Sequence, residues 1–270
     1  MSLIDTNSLE KNLQKIKIID CSWHMPVTNR NGFEEYKKQH IESAIFFDLD
    51  KNSEKNTDLP HMLTDKNSWE KIVSNMGIKN EDEIVVYDNS DVISSCRCWY
   101  NFIYFGHNPK LVHVLNGGLK KWKKEKRKTT DILKHYNTTK YVVKKNSHLV
   151  KDKTEIDKNI FAKDFILIDA RSKGRFNGTE TEPRKNTRSG SIPNSLCLPF
   201  TELINNDNTF IEKKKILEKF KSITNDDNKN LVFSCGSGVT ASVLALAYSL
   251  INITYMPIIY DGSWAEYGKI

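Results

Sequence analysis

Leu231-Val232-Phe233-Ser234-Cys235-Gly236-Ser237-Gly238-Val239-Thr240-Ala241 is the stretch on which the reading of this chain turns. An apolar run precedes the cysteine and a second one, Val243-Leu244-Ala245-Leu246-Ala247, follows the glycines. The pattern predicts a strand, a tight turn and the start of a helix. Gly236 and Gly238 let consecutive backbone N–H groups converge on one point, and the helix dipole adds partial positive charge there. A thiol at that point is expected to ionise easily and to act as a nucleophile. A cysteine that merely ends a buried strand is the ordinary alternative. Two glycines and two hydroxyl residues, however, fill a core poorly and cradle an anion well.

Working outward, the same order of signals occurs twice. The first half has Ile18-Ile19-Asp20, then His40 to Ala44, then Ile84-Val85-Val86-Tyr87 ending at Asp88, then Asn116-Gly117-Gly118-Leu119. The second has Leu167-Ile168-Asp169, then Ser191 to Ser195, then the run ending at Cys235, then Asp261-Gly262-Ser263-Trp264. Asp20 and Asp88 are 68 residues apart, Asp169 and Cys235 are 66 apart. Two copies of one α/β unit explain this, and only the second carries cysteine at the loop.

A chain of 270 residues, 38% of them hydrophobic, is long enough for two medium cores. Short strands alternating with helical stretches such as Trp69 to Met76 and Ile211 to Phe220 predict mainly parallel sheets with helices on both faces. The expected division is a first domain over 1–134, a linker over 135–146 and a second domain over 147–270. The stretch from Lys123 to Asn146 loses its apolar periodicity and reads as exposed. In such a sheet the loop at Cys235 lies beyond the carboxyl end of a strand, where ligands bind.

These motifs together resemble the two-domain rhodanese superfamily, and within it the 3-mercaptopyruvate sulfurtransferases, whose active loop is written as Cys235 to Ala241 stand here. The likeness extends to Ala44 to Asp50, Phe105-Gly106-His107, Glu182-Pro183-Arg184 and Asp261 to Glu266. It implies two tandem domains of which the first is catalytically silent, with Asp88 in place of the cysteine. It implies that Cys235 takes up sulfur as a persulfide and that Arg175 and Arg184 hold a substrate carboxylate. Ser237, His61 and Asp50 match the family's proton relay, the first domain contributing Asp50 and His61. Gly236, Gly238, Val239 and Thr240 complete the substrate loop. Glu42-Ser43, Ser191 and Asn194 stand where relatives usually have histidine and glycine, which bears on turn geometry.

The resemblance implies 3-mercaptopyruvate as sulfur donor. The acceptor is a thiol, such as thioredoxin or a low-molecular-weight thiol, or cyanide. Thiosulfate:cyanide transfer and a sulfur-relay role toward a protein acceptor are the alternatives. Gly236 and Ser237 are neutral where enzymes acting on thiosulfate carry basic side chains, which favours the mercapto acid. A phosphatase or arsenate reductase also uses cysteine in an anion-binding loop but needs an arginine to close it. Here Ala241 occupies the sixth place and no Lys or Arg follows until Lys269.

No metal or organic cofactor is expected, since the cysteine itself carries the sulfur. Cys21, Cys96, Cys98 and Cys197 show no metal-ligand spacing, and an odd total of five suggests a reducing compartment, with cytoplasm as the default. Cys96-Arg97-Cys98 reads as half-buried helix surface. No leader-like segment or membrane-spanning run is seen, and no membrane association is expected. The net charge of +7, with Lys120, Lys121, Lys123, Lys124, Lys126, Arg127 and Lys128 clustered, reads as a solvated basic face and not as a direct nucleic-acid site.

Overall fold

Runs of four or five β-branched and aromatic residues pair here into two separate parallel sheets built on one plan. The computed structural model describes residues 2–224, 226 and 229–270. Met1, where the first expected domain begins, lies outside the described residues.

In the first half, β1 (Leu3–Ile4), α1 (Thr6–Asn12), β2 (Lys17–Asp20), α2 (Gly32–Lys38), β3 (His40–Ile41) and β4 (Ile45–Phe46) come first. They are followed by α3 (Lys66–Asn75), β5 (Ile84–Tyr87), α4 (Ser95–Tyr104), β6 (Val112–Leu115), α5 (Gly118–Lys124) and β7 (Thr129–Thr130). The parallel sheet runs β1-β6-β5-β2-β4, and β3 pairs antiparallel with β7. Every residue of β5 is buried, as a strand covered on both faces requires.

In the second half the order is β8 (Val150–Lys151), α6 (Lys153–Ala162), β9 (Phe165–Asp169), α7 (Lys173–Asn177) and β10 (Leu196–Cys197). Then come α8 (Lys213–Ile223), β11 (Asn230–Ser234), α9 (Val239–Ile251), β12 (Ile259–Tyr260) and α10 (Ser263–Tyr267). The sheet runs β10-β9-β11-β12-β8, all parallel. This is the first sheet read from its other edge, strand for strand. Register makes the duplication residue-specific: Asp20 lies opposite Tyr87 and Asp169 opposite Ser234, so Asp88 and Cys235 are equivalent.

The turn positions unusual for the family are also equivalent. Ser43 and Asn194 both have left-handed backbones, φ +67° and +63°. Asparagine tolerates that conformation well and serine less so, which is why glycine is the usual residue at such a turn.

Three expectations are corrected. The compact units part between Asn146 and Ser147, where the second domain is expected to begin, but not at 134, and short segments are exchanged: one unit contains the chain up to Glu54, Leu63–Asn146 and Asn206–Phe210, the other Lys55–Met62, Ser147–Asn205 and Ile211–Ile270. His61 therefore belongs to the second unit.

The stretch 135–146 is not a free linker but the last layer of the first unit. Tyr141 and Val143 are buried, and the backbone of the stretch bonds to Ser74, Asn80, Glu70, Phe105 and Tyr104. Its apolar residues are too sparse to show periodicity, yet alternate residues face inward as in an edge strand.

Cys96-Arg97-Cys98 is not surface. All ten residues of α4 are buried, and the Arg97 guanidinium lies 5.4 Å from the Tyr100 ring centre.

Candidate active site

The loop after β11 owes its shape to what accepts its carbonyls. Trp264 N–H donates to the Cys235 carbonyl and Ala265 N–H to the Gly236 carbonyl, both at 2.9 Å. With those oxygens held by α10, the Ser237 N–H is left to approach Cys235 Sγ at 3.4 Å. Gly238 turns the chain with φ +78° and caps α9, whose first turn begins at Val239 and Thr240. The unpaired N–H groups and positive dipole end of a thirteen-residue helix thus point toward the cysteine. Cys235 itself is 2% exposed.

Around this loop the second unit assembles most of the predicted residues. Ser237 Oγ receives a bond from Arg184 Nη2 at 3.0 Å and meets His61 Nδ1 at 2.9 Å. A guanidinium can only donate, so the serine accepts there and its own proton is available to the imidazole. His61 is brought in by the segment Lys55–Met62, which is tied down by an ion pair between Asp58 and Lys269. It is buried, with a left-handed backbone at φ +62°.

Arg175 and Arg184 converge over Gly236. A Cβ placed there would stand 3.0 Å from Arg184 Nη1 and 3.3 Å from Arg175 Nη2, so a side chain at 236 would have to displace them. Burial pulls the Arg184 guanidinium below its ordinary range, and the Cys235 sulfur opposes that pull. Asp50 lies in the first unit, where its carboxylate accepts from Trp23 Nε1 at 3.0 and 3.1 Å.

Four residues of the site carried no assignment from sequence. The Glu182 side chain is buried and bidentate on Arg175, Oε1 accepting from Nε at 3.1 Å and Oε2 from Nη2 at 2.6 Å. Oε1 also accepts from Arg171 Nη1 at 2.7 Å. Arg171 is gripped in turn by Asp169, at 2.7 to 3.1 Å, and lies over the Trp264 ring. Ser263, at φ +49°, accepts from Cys235 N–H at 3.2 Å and donates to the Tyr260 carbonyl at 2.8 Å. Glu182 stands two places before Arg184 in a quoted motif, and an acid so near a carboxylate-binding arginine was the available signal.

Comparison with known proteins identifies the family of the chain. A family model described as "Rhodanese-like domain" matches residues 5–125 and 152–269. The chain is 36% identical to "Thiosulfate/3-mercaptopyruvate sulfurtransferase 1, mitochondrial" of Arabidopsis thaliana, over 98% of this chain and 75% of that one. It is 34% identical to the 3-mercaptopyruvate sulfurtransferase of Mus musculus, over 94% of this chain and 85% of that one. The crystal structure of SseA from Escherichia coli, described as showing the rhodanese fold and catalytic mechanism of 3-mercaptopyruvate sulfotransferases, superposes with a TM-score of 0.88. It shares 28% identity and covers 98% of this chain and 99% of its own. Two parallel α/β units, one with a cysteine in an anion-cradling loop, define the class. The chain belongs to the rhodanese-like family, with two copies of the domain.

Proposed function

We propose that the protein is a sulfurtransferase that takes sulfur from 3-mercaptopyruvate onto Cys235 and hands it to a thiol or to cyanide. The observation that carries this reading is the Ser237 hydroxyl, two residues from the nucleophile and held between His61 and Arg184. A carbon leaving group needs a proton source at that place, and thiosulfate does not.

The Cys235 thiolate attacks the substrate sulfur, forming an S–S bond while the C3–S bond breaks with its electron pair going to carbon. The products are the Cys235 persulfide and the enolate of pyruvate, which the Ser237 hydroxyl protonates at carbon with His61 resupplying the proton. Arg175 and Arg184 receive the substrate carboxylate, a planar group suited to guanidinium forks. Asp50 is the proposed carboxylate member of the relay. An acceptor thiolate or cyanide then attacks the outer sulfur, the S–S bond breaks, and Cys235 leaves as thiolate.

The sulfur rides on the cysteine, so the proposed cycle calls for no metal or organic cofactor. Thioredoxin or a low-molecular-weight thiol is the proposed acceptor, with no direct nucleic-acid partner, and thiosulfate serves as a poorer donor. Asp88 leaves the first unit without a nucleophile and hence catalytically silent. Five free thiols fit a reducing compartment, for which the cytoplasm is proposed. Among the described residues no helix is long and apolar enough to cross a membrane.

The test compares pyruvate release from 3-mercaptopyruvate with thiocyanate release from thiosulfate plus cyanide, in wild type and Cys235→Ser. Preference for the mercapto acid and an inactive variant are expected. Preference for thiosulfate overturns the donor assignment, and no turnover of either donor overturns the enzyme reading.

A further inference from the structure

Resting on the reading above, we propose that Glu182 is a specificity-determining residue: by cancelling one guanidinium charge it makes the site accept a singly charged carboxylate in preference to a doubly charged oxyanion.

Two carboxylates and three guanidinium groups set the charge around the Cys235 loop. Asp169 and Glu182 are the carboxylates, and Arg171, Arg175 and Arg184 the guanidinium groups. The side chains of Asp169, Arg171 and Glu182 are each 2% exposed or less, so solvent does not screen them. Asp169 offsets Arg171, and Glu182 offsets Arg175 through the same Nη2 that overhangs Gly236. Arg184 pairs with no carboxylate among the described residues, and it donates instead to the neutral Ser237 hydroxyl. One guanidinium charge is left over, and it faces the Cys235 thiolate of the proposed cycle, so the charged side chains of the site sum to about zero. A 2-oxo carboxylate then adds one negative charge, whereas thiosulfate adds two, and the second is the costlier to hold in a poorly screened place.

Glu182 also restrains the fork geometrically. With Nε and Nη2 of Arg175 committed to the carboxylate, that arginine turns a single edge to the substrate. A strut and a charge counter are separable, because only the second role changes the ratio between donors of different charge.

The experiment measures kcat/KM for 3-mercaptopyruvate and for thiosulfate, with cyanide as the common acceptor. Wild type, Glu182→Gln, Glu182→Asp and the charge-conserving pair Arg171→Met with Glu182→Gln are compared. Glu182→Gln should raise the thiosulfate to 3-mercaptopyruvate ratio by about tenfold or more. Glu182→Asp and the double variant should keep a ratio near that of wild type, even where both rates fall. A ratio unchanged in Glu182→Gln, with both donors slowed in parallel, makes Glu182 a strut and overturns the inference.

Thermal unfolding checks each variant. If Glu182→Gln does not fold, competitive inhibition of wild type decides: pyruvate should bind more tightly than sulfate, and the reverse order overturns the inference. Absence of pyruvate release by wild type would instead sink the functional reading itself.

Discussion

Asp88 and Cys235 sit at the same point of two superimposable sheet plans, and their loops use the same backbone bonds differently. In the first unit the Asp88 carboxylate fills its own cradle, Oδ1 accepting from Ser90 N–H and Oδ2 from Ser95 N–H, both at 2.8 Å. In the second, the N–H two residues on, that of Ser237, points instead at the cysteine sulfur. The carbonyls behave alike: Leu119 N–H donates to Asp88 and Trp264 N–H to Cys235, each at 2.9 Å. One scaffold thus makes an anion site in both copies. The first copy occupies it internally, and the second leaves it to the thiol proposed as the nucleophile.

The largest expected effect comes from making the second loop like the first. Cys235→Asp should fold, since Asp88 shows that a carboxylate satisfies the cradle, yet sulfur transfer should drop by at least about 10⁴-fold. Pyruvate release under single-turnover conditions measures it. Retention of more than a few per cent of the rate would mean that the nucleophile lies elsewhere.

The strand paired beside each loop's own strand, β2 next to β5 and β9 next to β11, shows a second contrast, visible in unfolding and not in turnover. Asp169 is fully committed to Arg171, whereas Asp20 has Ser22 at the place of that arginine. Asp169→Asn leaves Nε and Nη2 of the buried Arg171 without their carboxylate, Glu182 holding only Nη1, and should cost about 3–5 kcal/mol, read from urea unfolding. A loss under 1 kcal/mol would show the pair to be dispensable.

Much of this was legible in the sequence, and the illegible part has a common cause. The strand–turn–helix at Cys235 follows from local chemistry, and the duplication followed from spacing alone. Arg175, Arg184, His61 and Ser237 came by resemblance, and the structure gathers them within the second unit. Glu182, Arg171 and Ser263 were not assigned because their roles depend on how irregular loops fold: Glu182 meets Arg175 and Arg171, 7 and 11 residues away, and Ser263 meets Cys235, 28 away, and no strand or helix period marks such pairs. Tyr141 and Val143 escaped for the converse reason: they lie among lysines and asparagines, and their burial is decided by the groove they dock in.

Asp20 should respond with the opposite sign to Asp169. Burial raises its carboxyl from the ordinary 3.8 to about 6, so the folded protein binds a proton there that the unfolded chain has lost. Stability contributed at this site is highest below about pH 4, falls as pH rises through about 6, and stays low above it. The shift corresponds to about 3 kcal/mol. Asp20→Asn keeps an acceptor for the Ser22 N–H and removes that titration. The variant should match or exceed wild type at pH 8 and lose its advantage near pH 4, in paired unfolding curves. A variant less stable than wild type at pH 8 would show that the carboxylate is better satisfied than its burial implies.

The smallest effect concerns one backbone position. Gly118 and Ser263 occupy equivalent left-handed sites, φ +52° and +49°, just before the N–H that holds the loop carbonyl. At Gly118 a Cβ would come 2.4 Å from the Asp88 carbonyl, so the first copy has no room for a side chain. The second copy has a side chain there and uses it, Ser263 Oγ taking up the Cys235 N–H. Ser263→Gly relieves a left-handed strain of about 1 kcal/mol but leaves a buried N–H without its acceptor, at a cost of about 1–3 kcal/mol. The net expectation is a loss of about 1 kcal/mol, with turnover reduced because the Cys235 peptide is less firmly held. Ser263→Ala keeps the strain and loses the same bond, so it should be the less stable of the two in thermal unfolding. If alanine proves the better replacement, backbone conformation does not govern this site, and the likeness between the two loops ends at their hydrogen bonds.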